Sequence, residues 1–265
     1  MKGALAAFAL CTALAGCARA PVERVEWTTM GTVAAVQTRG GANAAAVEIV
    51  RRAFDEVESL LNAHDPGSEL SRLAPLPEDE ILAKCDPRMR PCYEAAFRLM
   101  RETDGAFNPR WRGPAALDLG GIAKGFAVDL AADELMRRRD ATGECDMLID
   151  LGGNLKAVRG TWTVGVYAPP DSTSRPPTLA LQPGSACATS AEYARGKHIY
   201  DGRTGLAVSN DVLSVTVVHP ASAMLADGLS TVMFVFGRDQ GEAFLRSRHP
   251  GASPTWIMST GERNP

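Results

Sequence analysis

Leu117-Asp118-Leu119-Gly120-Gly121-Ile122-Ala123-Lys124-Gly125 sets the reading of this chain, and Ile149-Asp150-Leu151-Gly152-Gly153-Asn154-Leu155-Lys156 echoes it. In each copy a short apolar stretch runs into two glycines, the pattern of a strand closed by a tight turn. After the first copy a long helix is expected from about Ile122 to Arg138. Two glycines at a strand-to-helix junction let the backbone approach a ligand, and the helix start offers free N–H groups to an anion. Lys124 can reach back toward a phosphate. The run matches neither the Gly-x-x-x-x-Gly-Lys-[Ser/Thr] loop nor the dinucleotide Gly-x-Gly-x-x-Gly. Taken alone, a structural turn capping a helix is the plainer reading. A single echo followed by different elements does not make a repeat architecture.

Outward from this stretch the elements interleave irregularly. Val25 to Thr38 reads as strand, interrupted at Thr28-Thr29-Met30-Gly31-Thr32. Val47, Val50, Phe54, Val57 and Leu61 recur at helical spacing, and Asp65-Pro66-Gly67-Ser68 ends that helix in a turn. Pro75, Pro77 and Pro87 mark a loop before a second helix from near Pro91 to Gly105. Met147 to Leu151 is a buried strand. Lys156-Ala157-Val158 and Trp162 to Tyr167 are expected to pair as a hairpin across Arg159-Gly160. Val212 to His219 is a further strand, Ala221 to Phe236 an apolar helix, and 169–177 a loop. This order predicts a single α+β domain, 25–260, with a mixed or antiparallel sheet packed by helices, rather than a doubly wound parallel sheet. A frayed tail, 261–265, follows it.

The first residues stand apart. Lys2, an apolar run from Ala4 to Leu14, and Leu14-Ala15-Gly16-Cys17 form a basic start, a short hydrophobic region and a lipobox, so 1–16 is expected to be a lipoprotein signal peptide. The run is too short to span a bilayer. Lipid on Cys17, followed by a tether over 17–24, would hold a periplasm-facing domain at the bacterial cell envelope. Ala18 stands where an inner-membrane retention aspartate would be, which favours the outer membrane. A net charge of −3 on 265 residues argues against a nucleic-acid partner. Cys85, Cys92, Cys145 and Cys187 match no zinc spacing. In an oxidising compartment Cys85 and Cys92 could close a small loop, with buried free thiols the alternative.

Two more clusters carry polar chemistry. In Ala226-Asp227-Gly228-Leu229-Ser230-Thr231 the oxygens of Asp227, Ser230 and Thr231 share one face of the most apolar helix. An acid there is costly unless paired or metal-bound, and oxygen-only ligands suit Mg²⁺. A wet or hydrogen-bonded aspartate near a helix end is the alternative. The other cluster is Ala188-Thr189-Ser190, then His198-Ile199-Tyr200-Asp201-Gly202-Arg203-Thr204-Gly205. His198 could be a base or a ligand-facing donor, although a lone histidine is more often structural.

The order of these motifs changes the reading. Thr29-Met30-Gly31-Thr32, Asp65-Pro66-Gly67-Ser68-Glu69-Leu70-Ser71-Arg72, Gly105-Ala106-Phe107-Asn108-Pro109, Asp118–Gly125, Leu151-Gly152-Gly153-Asn154, Ala188-Thr189-Ser190, His198–Gly205 and Ala226–Thr231 together resemble the ApbE family of FAD:protein FMN transferases, across almost the whole mature chain. The resemblance implies FAD as substrate and Mg²⁺ at the pyrophosphate. It places the metal at Asp227 and Thr231, with Ser230 beside them and the Gly121 carbonyl opposite. Flavin and adenine contacts map to Met30, His64, Ala106, Phe107, Asn108, Asp118, Lys124 and Tyr200. Lys124 would offset phosphate charge, and His198 or Asp227 would take a proton. The implied acceptor is a periplasm-facing flavoprotein subunit, such as one of a respiratory ion-pumping complex, modified on a Thr or Ser. The alternatives are an FAD pyrophosphatase and a non-catalytic flavin-holding lipoprotein. Family members usually carry an aromatic residue at His64, Asp at Asn108, Pro at Gly202, and some tens of residues between Pro109 and Leu117, where this chain has only a few.

Cys17→Ser should abolish lipidation and release the protein from the membrane fraction. Palmitate labelling checks this, and label that persists on the variant would refute the lipobox.

Overall fold

Turn chemistry shapes the start of the domain. Met30 and Gly31 take φ of 48° and 66°, the left-handed pair that a two-residue hairpin turn needs. The interrupted strand is therefore two, β1 (Val22–Thr29) and β2 (Thr32–Arg39), antiparallel from Val22↔Arg39 to Thr29↔Thr32. The computed structural model describes residues 21–41, 43–169, 172, 177–192 and 198–259. Cys17, the first half of the tether, most of the 169–177 loop and the 261–265 tail lie outside these residues, and Val22–Arg24 of the expected tether belong to β1, whose pairing with β2 draws them into the sheet.

α1 (Ala44–Leu61) starts where the Asn43 side chain accepts from Ala46 N, and it buries Val50, Phe54, Val57 and Leu61 as their spacing requires. The expected proline-rich loop instead contains α2 (Glu69–Leu73) and α3 (Glu78–Lys84). Ser68 caps the first, and Pro77 opens the second, where its missing N–H costs no helical bond. α4 (Arg90–Glu102) follows with Pro91 in its first turn. Cys85 and Cys92 are both free, buried thiols, and burial pushes the Cys92 thiol well above its ordinary range. The small-loop disulfide is not formed.

Leu117–Leu119 is not a strand. Asp118 N donates to Pro109 O, and the Asp118 carboxylate accepts from Gly120 N at 2.8 Å. These bonds replace a sheet ladder. The turn feeds α5 (Ala123–Arg137), and α6 (Arg139–Thr142) leads to the sheet. β3 (Asp146–Leu151) and β4 (Asn154–Arg159) form a hairpin across Gly152 and Gly153, both at positive φ. The second glycine pair is thus a strand-to-strand turn.

The expected hairpin between β4 and β5 (Trp162–Gly165) is absent, because β5 pairs with β6 (Thr178–Leu181). Gly160, at φ 73°, packs so close to Asp146 that the chain leaves the sheet there. Trp162 then buries with Leu148, Ala157, Leu181 and Cys187 in a second, smaller core. β7 (Ala186–Ala191) precedes the short pair β8 (Tyr200–Asp201) and β9 (Leu206–Ala207). β10 (Val212–His219), α7 (Ala223–Arg248) and β11 (Ser253–Met258) complete the fold. The apolar helix expected to stop at Phe236 does break there, since Gly237 leaves helical geometry at φ 72°, but the chain resumes helix to Arg248.

The main sheet runs β1-β2-β3-β4-β7-β10-β11, with every neighbouring pair antiparallel. α5 and α7 pack on one face, and α1 packs against α5. Phe54, Tyr93, Phe97, Leu99, Ile122 and Phe234 fill the core between them. The sheet is weakest where β4 meets β7, joined as a ladder only at Leu155↔Cys187 and Lys156↔Ala186. Ala157 stays bonded to Ser185 and Gly184 beyond Lys156, while at the other end Gly152, Gly153, Thr189 and Ser190 line a cavity.

α5 and α7 cross at Gly125. A Cβ there would lie 2.2 Å from Ala223 O and 2.7 Å from the Asp227 Cβ. Neither atom is the end of a flexible chain, so Gly125→Ala must separate the helices. Overpacking of this kind costs about 1–3 kcal/mol, and in a domain of this size each kcal/mol lowers Tm by about 2–4 °C. The variant should melt several degrees below wild type by calorimetry.

Candidate functional site

The cavity at the sheet's split has a volume of about 540 Å³ and draws its walls from distant parts of the chain. Ala106, Phe107 and Asn108 come from the turn after α4, and Asp118, Gly120, Gly121 and Lys124 from the turn into α5. Gly152 and Gly153 face it from the β3–β4 turn, Thr189 and Ser190 from β7, and Asp227 and Thr231 from α7. His64, His198 and Tyr200 line it as well. Of the residues mapped to flavin, phosphate, metal or proton chemistry, Met30 and Ser230 do not reach the lining.

Met30 is held elsewhere: its N–H donates to Glu58 Oε2 at 3.1 Å, beside Thr29 Oγ1 at 2.8 Å from the same oxygen. Ser230 is fully buried behind the wall. Its hydroxyl lies 2.8 Å from Ser190 Oγ and donates to Asp227 O at 2.9 Å. The helical spacing placed Ser230 near Asp227, but its place on the turn points it into the α7–β7 contact. It steadies the site without facing it.

Asp227 is 5% exposed. Its Oδ2 accepts from Gly125 N at 2.9 Å, and no ion pair reaches it among the described residues. Burial raises its pKa above the ordinary carboxylate range, opposed by the Lys124 charge and the Gly125 N–H. Thr231 Oγ1 sits 3.4 Å from each of Gly121 O, Asp227 O and Ser190 Oγ. Lys124 Nζ donates to Gly120 O at 3.0 Å. A carboxylate, a hydroxyl, a carbonyl and an ammonium therefore converge at one end of the cavity. Such a group suits a phosphate and a hard cation.

The other motifs are tied together by backbone. Gly202 N donates to Ala106 O at 3.0 Å, and Asn108 Nδ2 donates to Gly202 O at 3.3 Å. A Cβ on Gly202 would lie 2.3 Å from the Asn108 Cβ, so this pairing excludes the proline that the family resemblance leads one to expect there. Arg203 holds the Asp201 carboxyl below its usual range, fixing the turn that presents Tyr200. His64 is exposed at the rim.

Sequence reasoning missed three contributors: Val164–Tyr167 at the end of β5, Thr216, whose hydroxyl lies 2.8 Å from that of Thr189, and the Trp111–Arg112 step. Only the last left a local signal, a tryptophan between arginines in Pro109-Arg110-Trp111-Arg112-Gly113-Pro114. The other two reach the cavity through strand pairing.

Comparison with known proteins shows the family. The family model described as the ApbE family matches residues 30–114 and 110–254. An FAD:protein FMN transferase of Vibrio cholerae serotype O1 is 28% identical over 310 residues, covering 92% of this chain and 90% of that protein. An FAD:protein FMN transferase of Treponema pallidum is 33% identical over 163 residues, 54% of this chain and 43% of its own length. The flavin transferase ApbE from Vibrio cholerae superposes with a TM-score of 0.71 at 25% identity, covering 91% and 95% of the two chains. The apbe protein of Thermotoga maritima, at 21% identity and a TM-score of 0.73, shares the fold over 90% and 94%.

The raised Asp227 pKa makes a signed prediction. The folded state holds this proton more tightly than the unfolded chain, so the carboxyl's contribution to stability falls as pH rises from the ordinary carboxylate range through the raised folded value. Without divalent cations, Asp227→Asn should melt at or above the wild-type temperature at pH 7, and the difference should close on acidification. A wild type that is clearly the more stable at pH 7 in chelator would show the carboxylate to be compensated.

Proposed function

The chain belongs to the ApbE family, and on that premise we propose that it moves FMN from FAD onto a Thr or Ser hydroxyl of an acceptor flavoprotein, releasing AMP. One observation carries this reading. Asp227, Thr231, the Gly121 carbonyl and Lys124 meet at one end of a cavity deep enough for a nucleotide, next to a helix start. In this reading the acceptor oxygen attacks the FMN-side phosphorus, the phosphoanhydride bond breaks, and AMP leaves with the bridging oxygen. Such a transfer depends on positioning and charge neutralisation more than on covalent catalysis.

The residues fit Mg²⁺. Asp227 is a buried carboxylate with one oxygen committed to Gly125 N–H and no counter-ion in contact. Among the described residues, neutral oxygens, the Cys92 thiol and Lys124 stand near it. Among the described residues no group of three His, Cys, Asp or Glu gathers. A cation would be held by Asp227, Thr231 Oγ1, the Gly121 carbonyl and the nucleotide's own phosphates, a set that suits a hard ion which keeps water and phosphate ligands. Ser230, bonded to Ser190, is not among them. When bound, the ion would neutralise pyrophosphate charge. Lys124 would do the same, whereas the N–H groups of Gly120, Ile122, Ala123 and Gly125 at the start of α5 are already bonded to Asp118, Leu119 and Asp227 and are not free for the phosphates. With Asp227 committed to a cation, His198 at the exposed rim is the group placed to take the acceptor's proton.

The envelope placement belongs to the same proposal. Leu14-Ala15-Gly16-Cys17 supports a periplasm-facing lipoprotein, held by lipid at the outer membrane. No described helix is long and apolar enough to cross a membrane, so the lipid would supply the anchor. The partner would be a periplasm-facing flavoprotein subunit, for instance of a respiratory ion-pumping complex.

The test combines the protein, FAD, Mg²⁺ and a candidate acceptor, read by intact mass. The expected result is an acceptor heavier by one FMN group. Asp227→Asn should reduce transfer by orders of magnitude, with partial rescue at high Mg²⁺. Free FMN and AMP with an unmodified acceptor would favour the pyrophosphatase, and FAD bound but unchanged would favour a flavin-holding protein.

A further inference from the structure

Arg110, Trp111 and Arg112 occupy the place where this chain is shorter than its relatives. The two family-model matches meet and overlap there, at 110–114. The alignment with the Vibrio cholerae relative spans 310 residues against the 265 of this chain, so that relative carries segments absent here. In this chain the place is taken by a short strap with unusual fastening. The Arg110 guanidinium donates to Ala74 O at 2.7 Å, Leu76 O at 2.6 Å and Pro114 O at 2.5 Å. One side chain thereby ties the strap to the α2–α3 connection and to its own far end.

This fastening fixes the backbone of Trp111. The indole lies flat on the Tyr200 ring, with centroids 4.1 Å apart and planes 12° from parallel. Its Nε1–H donates to Asp118 Oδ2 at 3.3 Å, while Asp118 Oδ1 accepts from Gly120 N. The carboxylate that shapes the glycine turn therefore also sets the plane of the indole. Arg112 stands 4.7 Å over the indole and 3.5 Å from Asp118, with its side chain 49% exposed.

A tryptophan in a domain this size normally packs into the core, but Trp111 belongs to neither apolar cluster. It is half-buried and, with Tyr200, Arg112 and Asp118, lines the cavity. Its polar edge is satisfied, its plane is preset, and the group over its face is a surface arginine that can swing away. A rigid π-surface beside a half-exposed guanidinium suits a planar heteroaromatic ring linked to phosphate.

We propose that Trp111 is a specificity-determining residue for FAD: the Trp111–Tyr200 pair receives one planar ring of the dinucleotide, and Arg112 turns from the indole toward a phosphate. The proposal rests on the flavin-transferase reading and deepens it, because it identifies how a chain lacking the longer segment grips its substrate. FAD offers two such rings, isoalloxazine and adenine, and the binding of its halves tells them apart.

The experiment uses the full chain, purified in detergent. Wild type, Trp111→Leu and Trp111→Phe are each titrated with FAD, FMN and ADP, and melted without ligand. Leucine keeps apolar bulk but loses the plane, whereas phenylalanine keeps a stacking face. The expected result is an FAD Kd raised about tenfold in Trp111→Leu and largely restored in Trp111→Phe, in line with the usual strength of ring-on-aromatic stacking. The loss should be shared by FMN if isoalloxazine is the stacked ring, or by ADP if it is adenine, with Tm unchanged. In the transfer assay KM for FAD should rise while kcat holds. FAD binding by Trp111→Leu equal to wild type would overturn the stacking role. So would equal losses in both variants with a lowered melt, or for both half-ligands alike, since Trp111 would then be a plug for the shortened wall. A wild type that binds no FAD would bring down the flavin-transferase reading itself. Normal wild-type binding with an indifferent leucine variant would bring down the stacking proposal alone.

Discussion

Gly125 and Asp227 meet where α5 crosses α7, and the contact is possible only because one residue has no side chain and the other turns its carboxylate onto the first one's N–H. One turn further along α5, Asp129 accepts from Ser222 Oγ, Ala223 N and Met224 N, so it caps the start of α7. Lys156 of β4 closes the same group at 2.7 Å. Two side chain–backbone clamps, four residues apart on α5, thus fix the second helix against the first and both against the sheet. Removing the crossing would let Thr231 drift from Gly121. The ligand-facing end of the cavity exists because that distance is held.

The clamps also explain an electrostatic feature that would otherwise be a liability. A carboxylate without a counter-ion, 5% exposed, is expensive. A purely structural helix would carry alanine or leucine at that position. Asp227 is retained where its remaining oxygen faces a cavity, with Lys124 near enough to favour its charge. Under the proposed function a cation and phosphates would offset this folding cost, in keeping with the usual association of strained electrostatics with function.

Around this end the rest of the cavity is assembled from pieces that do little alone. The sheet opens because β4 turns back at Gly152-Gly153 while β7 continues alongside β10. The Asn108–Gly202 contact pins the turn after α4 to the loop bearing Tyr200. The strap at Arg110–Arg112 closes the side where relatives carry more chain, with one arginine fastened to backbone carbonyls and one tryptophan laid on Tyr200. A shorter wall is offset by a stiffer one.

Much of this was legible in the chain itself. The apolar spacing of Val50, Phe54, Val57 and Leu61 determined α1, and the order of motifs from Thr29 to Thr231 determined the family and the fold class and named many of the residues that line the cavity. Local chemistry suffices there, because helical periodicity and glycine pairs are dictated by neighbours a few residues away. Where partners lie far apart in the chain, the reading failed. Leu117–Leu119 has the composition of a strand, yet Asp118 spends its bonds on Pro109, Gly120 and Trp111 and no ladder forms. β5 follows β4 directly but pairs with β6, since Gly160 packed on Asp146 turns the chain out of the sheet and Trp162 finds a separate core. Ser230 shares the helix face of Asp227, but the position of β7 decided that it would bond Ser190 rather than face the cavity. Sequence alone set which groups were available. Tertiary packing decided which of them face the cavity, because a side chain's direction depends on surfaces contributed from a hundred residues away.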